Sequence, residues 1–277
     1  MTTAFKRLFG AYLVIFLAGL CAGMLLITRL ILRFIDPQTH FYTVKGGPVA
    51  AANGFLFALT LALILPVFFR SAGAGPGAFA GGRHRVPAVF AALLGLALAV
   101  ASAFQVASSG TAGAGTLLSG LTGLAAAVFF VLLARRFATG AGPDMRFAAL
   151  LPTLWGVVNL VAAFMRLTQI SNISQYLYEV LQMVFASLFL YYHARFSGGL
   201  SNRRELNGML AFGLPCAFYG FAATLPNYFA RLGNPARGRL PEPSDFSMLA
   251  LSLYIVVLLA AVARSRPENA GSSHGEK

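Results

Sequence analysis

Eight stretches of this chain are almost continuously apolar, and each is near the roughly 20 residues that a helix needs to cross a hydrocarbon layer about 30 Å thick. They cover residues 8–32, 49–69, 86–107, 116–133, 147–166, 175–193, 208–228 and 246–263. A backbone in lipid must satisfy its own polar groups, which leaves helices or a closed barrel. The runs do not alternate apolar and polar residues with a period of two, so helices are expected. The expected fold class is all-α: a polytopic integral membrane protein, a bundle of about eight transmembrane helices. Residues 1–263 form one transmembrane domain and 264–277 a disordered cytoplasmic tail, because the tail has too few apolar residues to pack.

Composition agrees with the bilayer as solvent. With 58% hydrophobic and 10% charged residues and a mean hydropathy of +0.74, the chain is more apolar than an ordinary soluble domain. Its formal net charge of +13 does not indicate nucleic acid as a partner, because the basic residues are dispersed between apolar runs and form no solvated stripe. The lipid bilayer is the first partner. The two cysteines, Cys21 and Cys216, both lie inside apolar runs and are expected as buried thiols.

Lys and Arg beside membrane helices are retained on the cytoplasmic side. With the amino terminus inside, the inner segments hold Lys6, Arg7, Arg70, Arg83, Arg85, Arg135, Arg136, Arg146, Arg195, Arg203, Arg204, Arg264, Arg266 and Lys277. The outer side holds half as many: Arg29, Arg33, Lys45, Arg166, Arg231, Arg237 and Arg239. The expected placement is the cytoplasmic membrane, with both termini in the cytoplasm. The connections 71–82 and 107–115 are rich in glycine and nearly uncharged, and are expected to be flexible.

Within this frame the fifth and sixth runs carry the most informative polar residues. Glu179 is the only carboxylate inside any of the eight runs, and Arg166 closes the fifth. Asn159 and Arg166 lie two helical turns apart and share a face with Pro152, Gly156 and Ala163. On the sixth run Gln175, Glu179, Gln182 and Ala186 recur at spacings of four and three. The short connection makes the two helices antiparallel neighbours, and the two stripes are expected to face each other near the outer side. Two readings follow. The seam lines a cavity in which Arg166, Glu179, Asn159 and Gln182 bind a small polar or anionic solute, since ionisable groups inside a membrane are expensive and functional by default. Alternatively, Arg166 and Glu179 form a structural ion pair, with Asn159 and Gln182 as hydrogen-bonding glue between helices.

Arg29 and Arg33, four apart on the first helix, extend the ligand reading to an anion-attracting vestibule, or else anchor a helix end among lipid phosphates. Trp155, the lone tryptophan, lies deeper than an interfacial belt residue and is a candidate for lining the cavity, with core packing as the plainer role. Pro215 inside the seventh run suggests a kink. The G-x-x-x-G of Gly19 and Gly23, and the small-residue stripe Gly115, Ser119, Gly123 and Ala127, permit close helix contact within the chain, with a second copy (a homo-oligomer) or with a membrane partner.

No Walker loop, H-E-x-x-H or G-x-S-x-G occurs, and no two of the four histidines share a helical turn. No catalytic residue, metal site or cofactor is therefore expected, and enzymatic activity is disfavoured. The functional expectation is a permease-like or ligand-binding membrane protein for a small polar or anionic solute. The alternative is a sensory or accessory membrane subunit that acts through a partner protein.

Overall fold

The computed structural model describes residues 3–36, 47–69, 83–140, 145–167, 174–198, 203–235 and 242–264. They form eight helices: α1 (Thr3–Phe34), α2 (Gly47–Phe69), α3 (Arg85–Ala112), α4 (Ala114–Thr139), α5 (Leu150–Leu167), α6 (Ser174–Ser197), α7 (Arg203–Gly233) and α8 (Pro243–Arg264). No strand occurs among the described residues. The connection 71–82 and the tail beyond Arg264 lie outside the described residues.

Six of the eight helices are long and apolar enough to cross a membrane: α1, α2, α3, α4, α7 and α8. The eight expected by run length are reduced at α5 and α6. The apolar part of α5 is only Leu150–Met165, about 24 Å of helix and short of the hydrocarbon thickness. In α6 the apolar run is diluted by the same polar residues that drew attention to it.

Helix neighbours follow the chain from α3 to α8 in order, and α8 returns to α3. The six helices thus close a ring. Glycine contacts set the register, and where two or more join a pair of helices the two run in opposite directions. A Cβ on Gly95 would lie 3.2 Å from the Ala127 carbonyl and one on Gly120 3.0 Å from the Ser102 carbonyl, so the backbones of α3 and α4 approach closely at both positions. Gly156 of α5 meets Ser187 and Leu190 of α6, and Gly213 of α7 meets Phe189 of α6 and Ile255 of α8. Small residues permit this proximity, which in lipid is a main source of helix association.

The hairpin of α1 and α2 lies outside the ring and leans on α7, with a small contact from α1 to α8. Its G-x-x-x-G is consumed inside the chain: Gly19 faces Leu59 of α2, and a Cβ on Gly23 would lie 3.2 Å from Leu56 of α2 and from Phe218 of α7. Polar contacts link hairpin and ring. Tyr178 of α6 donates to Asn53 of α2 at 2.5 Å, and the hydroxyls of Thr60 and Tyr219 are bonded at 2.9 Å. The Tyr219 ring is stacked between Tyr178 and Phe185, at 6.2 and 5.9 Å between centroids.

Enclosed between ring and hairpin, α7 is buried almost throughout. It continues as a helix through both Pro215 and Pro226. On the outer surface, Val14, Leu25, Phe57, Leu96, Val100, Phe104, Val128 and Phe164 are exposed. This apolar exterior suits a hydrocarbon solvent.

Two local expectations change. The 107–115 connection is almost entirely helical, because α3 and α4 run on until only Gly113 separates them. Gly113 has φ 90°, a backbone conformation that glycine adopts without strain, and its amide donates to the Ser109 carbonyl. Ser108 and Ser109 bond back to the carbonyls of Gln105 and Val106, closing the last turn of α3. Of the cysteines, Cys216 is buried as expected, whereas Cys21 is exposed on the outer face of α1.

Candidate functional site

The interior of the ring divides into two halves. One lies toward the Gly113 end, where α3 passes into α4, and is polar. The other lies toward the end where α6 finishes, and is aromatic.

In the polar half, Asn159 of α5 bonds across to α4. Its Oδ1 accepts from the Ser119 hydroxyl of α4 at 2.7 Å, and its amide donates to the Trp155 carbonyl one turn earlier at 2.9 Å. Ser119 also lies 3.2 Å from Oε1 of Gln105 on α3. Beneath this cluster Trp155 is buried, its Cδ1 3.2 Å from where a Cβ on Gly123 would be, and the Ser102 hydroxyl occupies the rest of that space. Glycine at 123 therefore lets an indole and a hydroxyl from two neighbouring helices meet against α4.

Across the ring, Gln182 of α6 is 1% exposed. A Cβ on Gly220 of α7 would lie 2.5 Å from its Nε2 and closer still to the Ser252 hydroxyl of α8, so both polar groups reach the same point. Ser252 donates to the Met248 carbonyl at 2.9 Å. Gln182 Nε2 has no hydrogen-bond partner. A buried amide donor left unmatched costs about 1–3 kcal/mol. The Gly156–Ser187 contact fixes the α5–α6 register, and from it Asn159 and Gln182 lie at about the same depth.

The aromatic half centres on His193 of α6, which is 1% exposed. Its Nε2 lies 2.8 Å from the Tyr254 hydroxyl of α8. Phe129 and Phe130 of α4 lie 6.2 and 6.3 Å from it, and Phe189, one turn back, 5.7 Å between centroids. Side chains from α4, α6 and α8 thus meet across the middle of the ring, and His193 Nδ1 has no hydrogen-bond partner there. Just beyond, Arg195 pairs with Glu205 of α7 at 2.8 Å. Glu205 is 1% exposed, and its Oε2 finds no partner.

These positions sort the residues expected from sequence. Asn159 and Trp155 belong to one cluster, and Gln182 lies in the same layer with α7 and α8 beside it. Gly156 of the α5 stripe meets Ser187 and Leu190 of α6, while Asn159 bonds to Ser119 of α4 and Gln182 lies against Gly220 of α7. Glu179 is half-buried one turn from Gln182. Arg166 is in the last turn of α5, and its side chain lies outside the described residues. Arg29 is exposed on α1, which packs on α7 outside the ring, and so is separated from the polar layer.

Sequence reading missed Glu205 and His193. It began the seventh helix at residue 208, whereas α7 starts at Arg203 and takes Glu205 into its first turn. It placed His193 at a helix end, whereas α6 continues to Ser197. A usable signal was present: Glu179, Ala186 and His193 are successively seven apart, on one face of α6. No group of three potential metal ligands occurs among the described residues. Comparison with protein families, with curated proteins and with solved structures finds no match to this chain.

Proposed function

We propose that the chain is a permease-like, solute-binding protein of the cytoplasmic membrane, with both termini in the cytoplasm, and that its solute occupies the polar half of the ring. All eight helices cross the bilayer in this reading, and α5 and α6 are sheltered by their neighbours in the ring. The observation that carries it is Gln182 Nε2, a buried donor without a partner in the same layer as Asn159, Ser119 and Ser252. A polar group held unpaired inside an apolar bundle is a marker of a solute path.

The layer consists of amides and hydroxyls, so it favours a small polar solute able to accept hydrogen bonds. Glu179, and Arg166 near the same end, act at the entrance, where charge draws solute in without sharing its final site.

The test is a solute screen on purified protein, read by thermal unfolding and by uptake into liposomes. A solute that raises the unfolding temperature, and whose effect is lost in Gln182→Leu and Asn159→Leu, supports the reading. Absence of any solute effect, together with a membrane protein that co-purifies reproducibly, overturns it in favour of an accessory subunit.

A further inference from the structure

We propose that His193 is a proton-binding site inside the bundle, with Tyr254 as the residue that positions its imidazole. The proposal stands on the aromatic half of the ring and is independent of the solute assigned to the polar half.

Three features converge. The Nε2–Tyr254 hydrogen bond at 2.8 Å fixes the ring orientation. With Nε2–H donated to the Tyr254 oxygen, Nδ1 carries a free lone pair, and Nδ1 is the atom with no partner. That lone pair accepts a proton drawn from water, and the Nε2–H bond to Tyr254 is retained in the imidazolium.

Phe189 and Phe130 flank the imidazole, tilted from it by 31° and 33°, at 5.7 and 6.3 Å between centroids. His193 is also four residues from the end of α6 at Ser197, where the helix presents its negative end. A purely structural histidine at this position would be expected to bond both nitrogens, as buried polar groups generally do.

The ionisable groups around it are few. Tyr254 comes from α8. On α6 itself are Tyr192 and Arg195. Among the described residues α7 contributes Glu205, already held by Arg195, while α4 turns Phe129 and Phe130 toward it. The Arg195–Glu205 pair lies between His193 and the end of α6, so a proton arriving from that side meets a carboxylate oxygen without a partner, Glu205 Oε2.

The test uses the full-length protein in liposomes with His40→Gln, His84→Gln and His274→Gln, which leaves His193 as the sole histidine of the four. Nitrogen NMR of the labelled imidazole is followed from about pH 8 to about pH 4, spanning the ordinary imidazole pKa of about 6.5. The expected result is conversion from the neutral form with Nε2–H to the imidazolium, with a midpoint that moves by about one pH unit, a tenfold change in proton affinity, in Tyr254→Phe. A neutral ring throughout, or an unchanged midpoint in Tyr254→Phe, overturns the proposal. The native protein with all four histidines, examined identically, guards against misfolding of the variant: a fourth titrating signal is expected, and its absence counts against the site. Titration in a protein that takes up no solute leaves this proposal standing while the solute reading falls. Solute uptake with a silent His193 does the reverse.

Discussion

The two halves of the ring use the same six helices in opposite ways. Toward Gly113 the interior holds hydroxyls and amides, several bonded along α5 and across to α4, with glycine and alanine giving them room. Toward the end of α6, three phenylalanines and a tyrosine close around one imidazole. In a membrane, apolar side chains inside the bundle gain little over lipid, so the aromatic half contributes through shape and contact and the polar half through hydrogen bonds. Under the proposed function the contrast becomes a division of labour: rigidity at one end and solute recognition at the other.

That division can be broken most severely at the aromatic end. Phe130→Ala removes the ring that touches both His193 and Tyr254, and is expected to cost about 3 kcal/mol or more, as for large-to-small changes in packed cores. Unfolding in mixed detergent micelles reads this directly. A cost within about 0.5 kcal/mol, the range of a surface change, would remove the aromatic half from the account of stability.

Next is the boundary at Gly220. Leucine there collides with Ser252 and Gln182 and forces α6, α7 and α8 apart, for an expected loss of about 2 kcal/mol by overpacking. The contrasting position is Gly54 of α2, where a Cβ meets nothing within 4 Å. Gly54→Ala should leave stability unchanged or raise it by up to about 1 kcal/mol. Equal destabilisation at both sites would show that close packing at Gly220 is not what holds these helices.

The smallest expected effect on stability is the most informative about function. Asn159→Leu breaks the bond to Ser119, and interhelical hydrogen bonds in membranes average only about 0.6 kcal/mol. Folded yield and melting should therefore barely move, while any solute-induced shift in unfolding temperature disappears. A large stability loss would make Asn159 a structural strut and blur the two halves into one.

Much of this architecture is legible in the sequence, and the gaps have physical causes. Each apolar run corresponds to a helix, because hydrophobic length is a local property. The antiparallel contact of α5 and α6 followed from a short connection. Ring closure did not, since the approach of α8 to α3 joins segments with no mark of their partnership in either sequence. Polar helix ends were also lost: Arg195 and Phe196 follow His193, and Arg203, Arg204 and Glu205 precede the seventh run, so hydropathy stops where the helix does not. Extending α6 by one turn moves His193 from a membrane boundary into a cage of rings. Asn159, Gln182 and Trp155 were found because polar or single aromatic residues stand out in apolar runs. Which wall each would face depended on the ring.

Closure through α8 also bears on biogenesis. A chain emerging from the ribosome delivers helices in order, and until α8 follows α7 the contact of α8 with α3 cannot form. The Ser252 hydroxyl against Gly220, and Tyr254 beneath His193, arrive together with the last helix. Until then Gln182 and His193 face an unfinished groove. The insertion of α8 therefore completes the packing and creates the enclosed interior in a single late step.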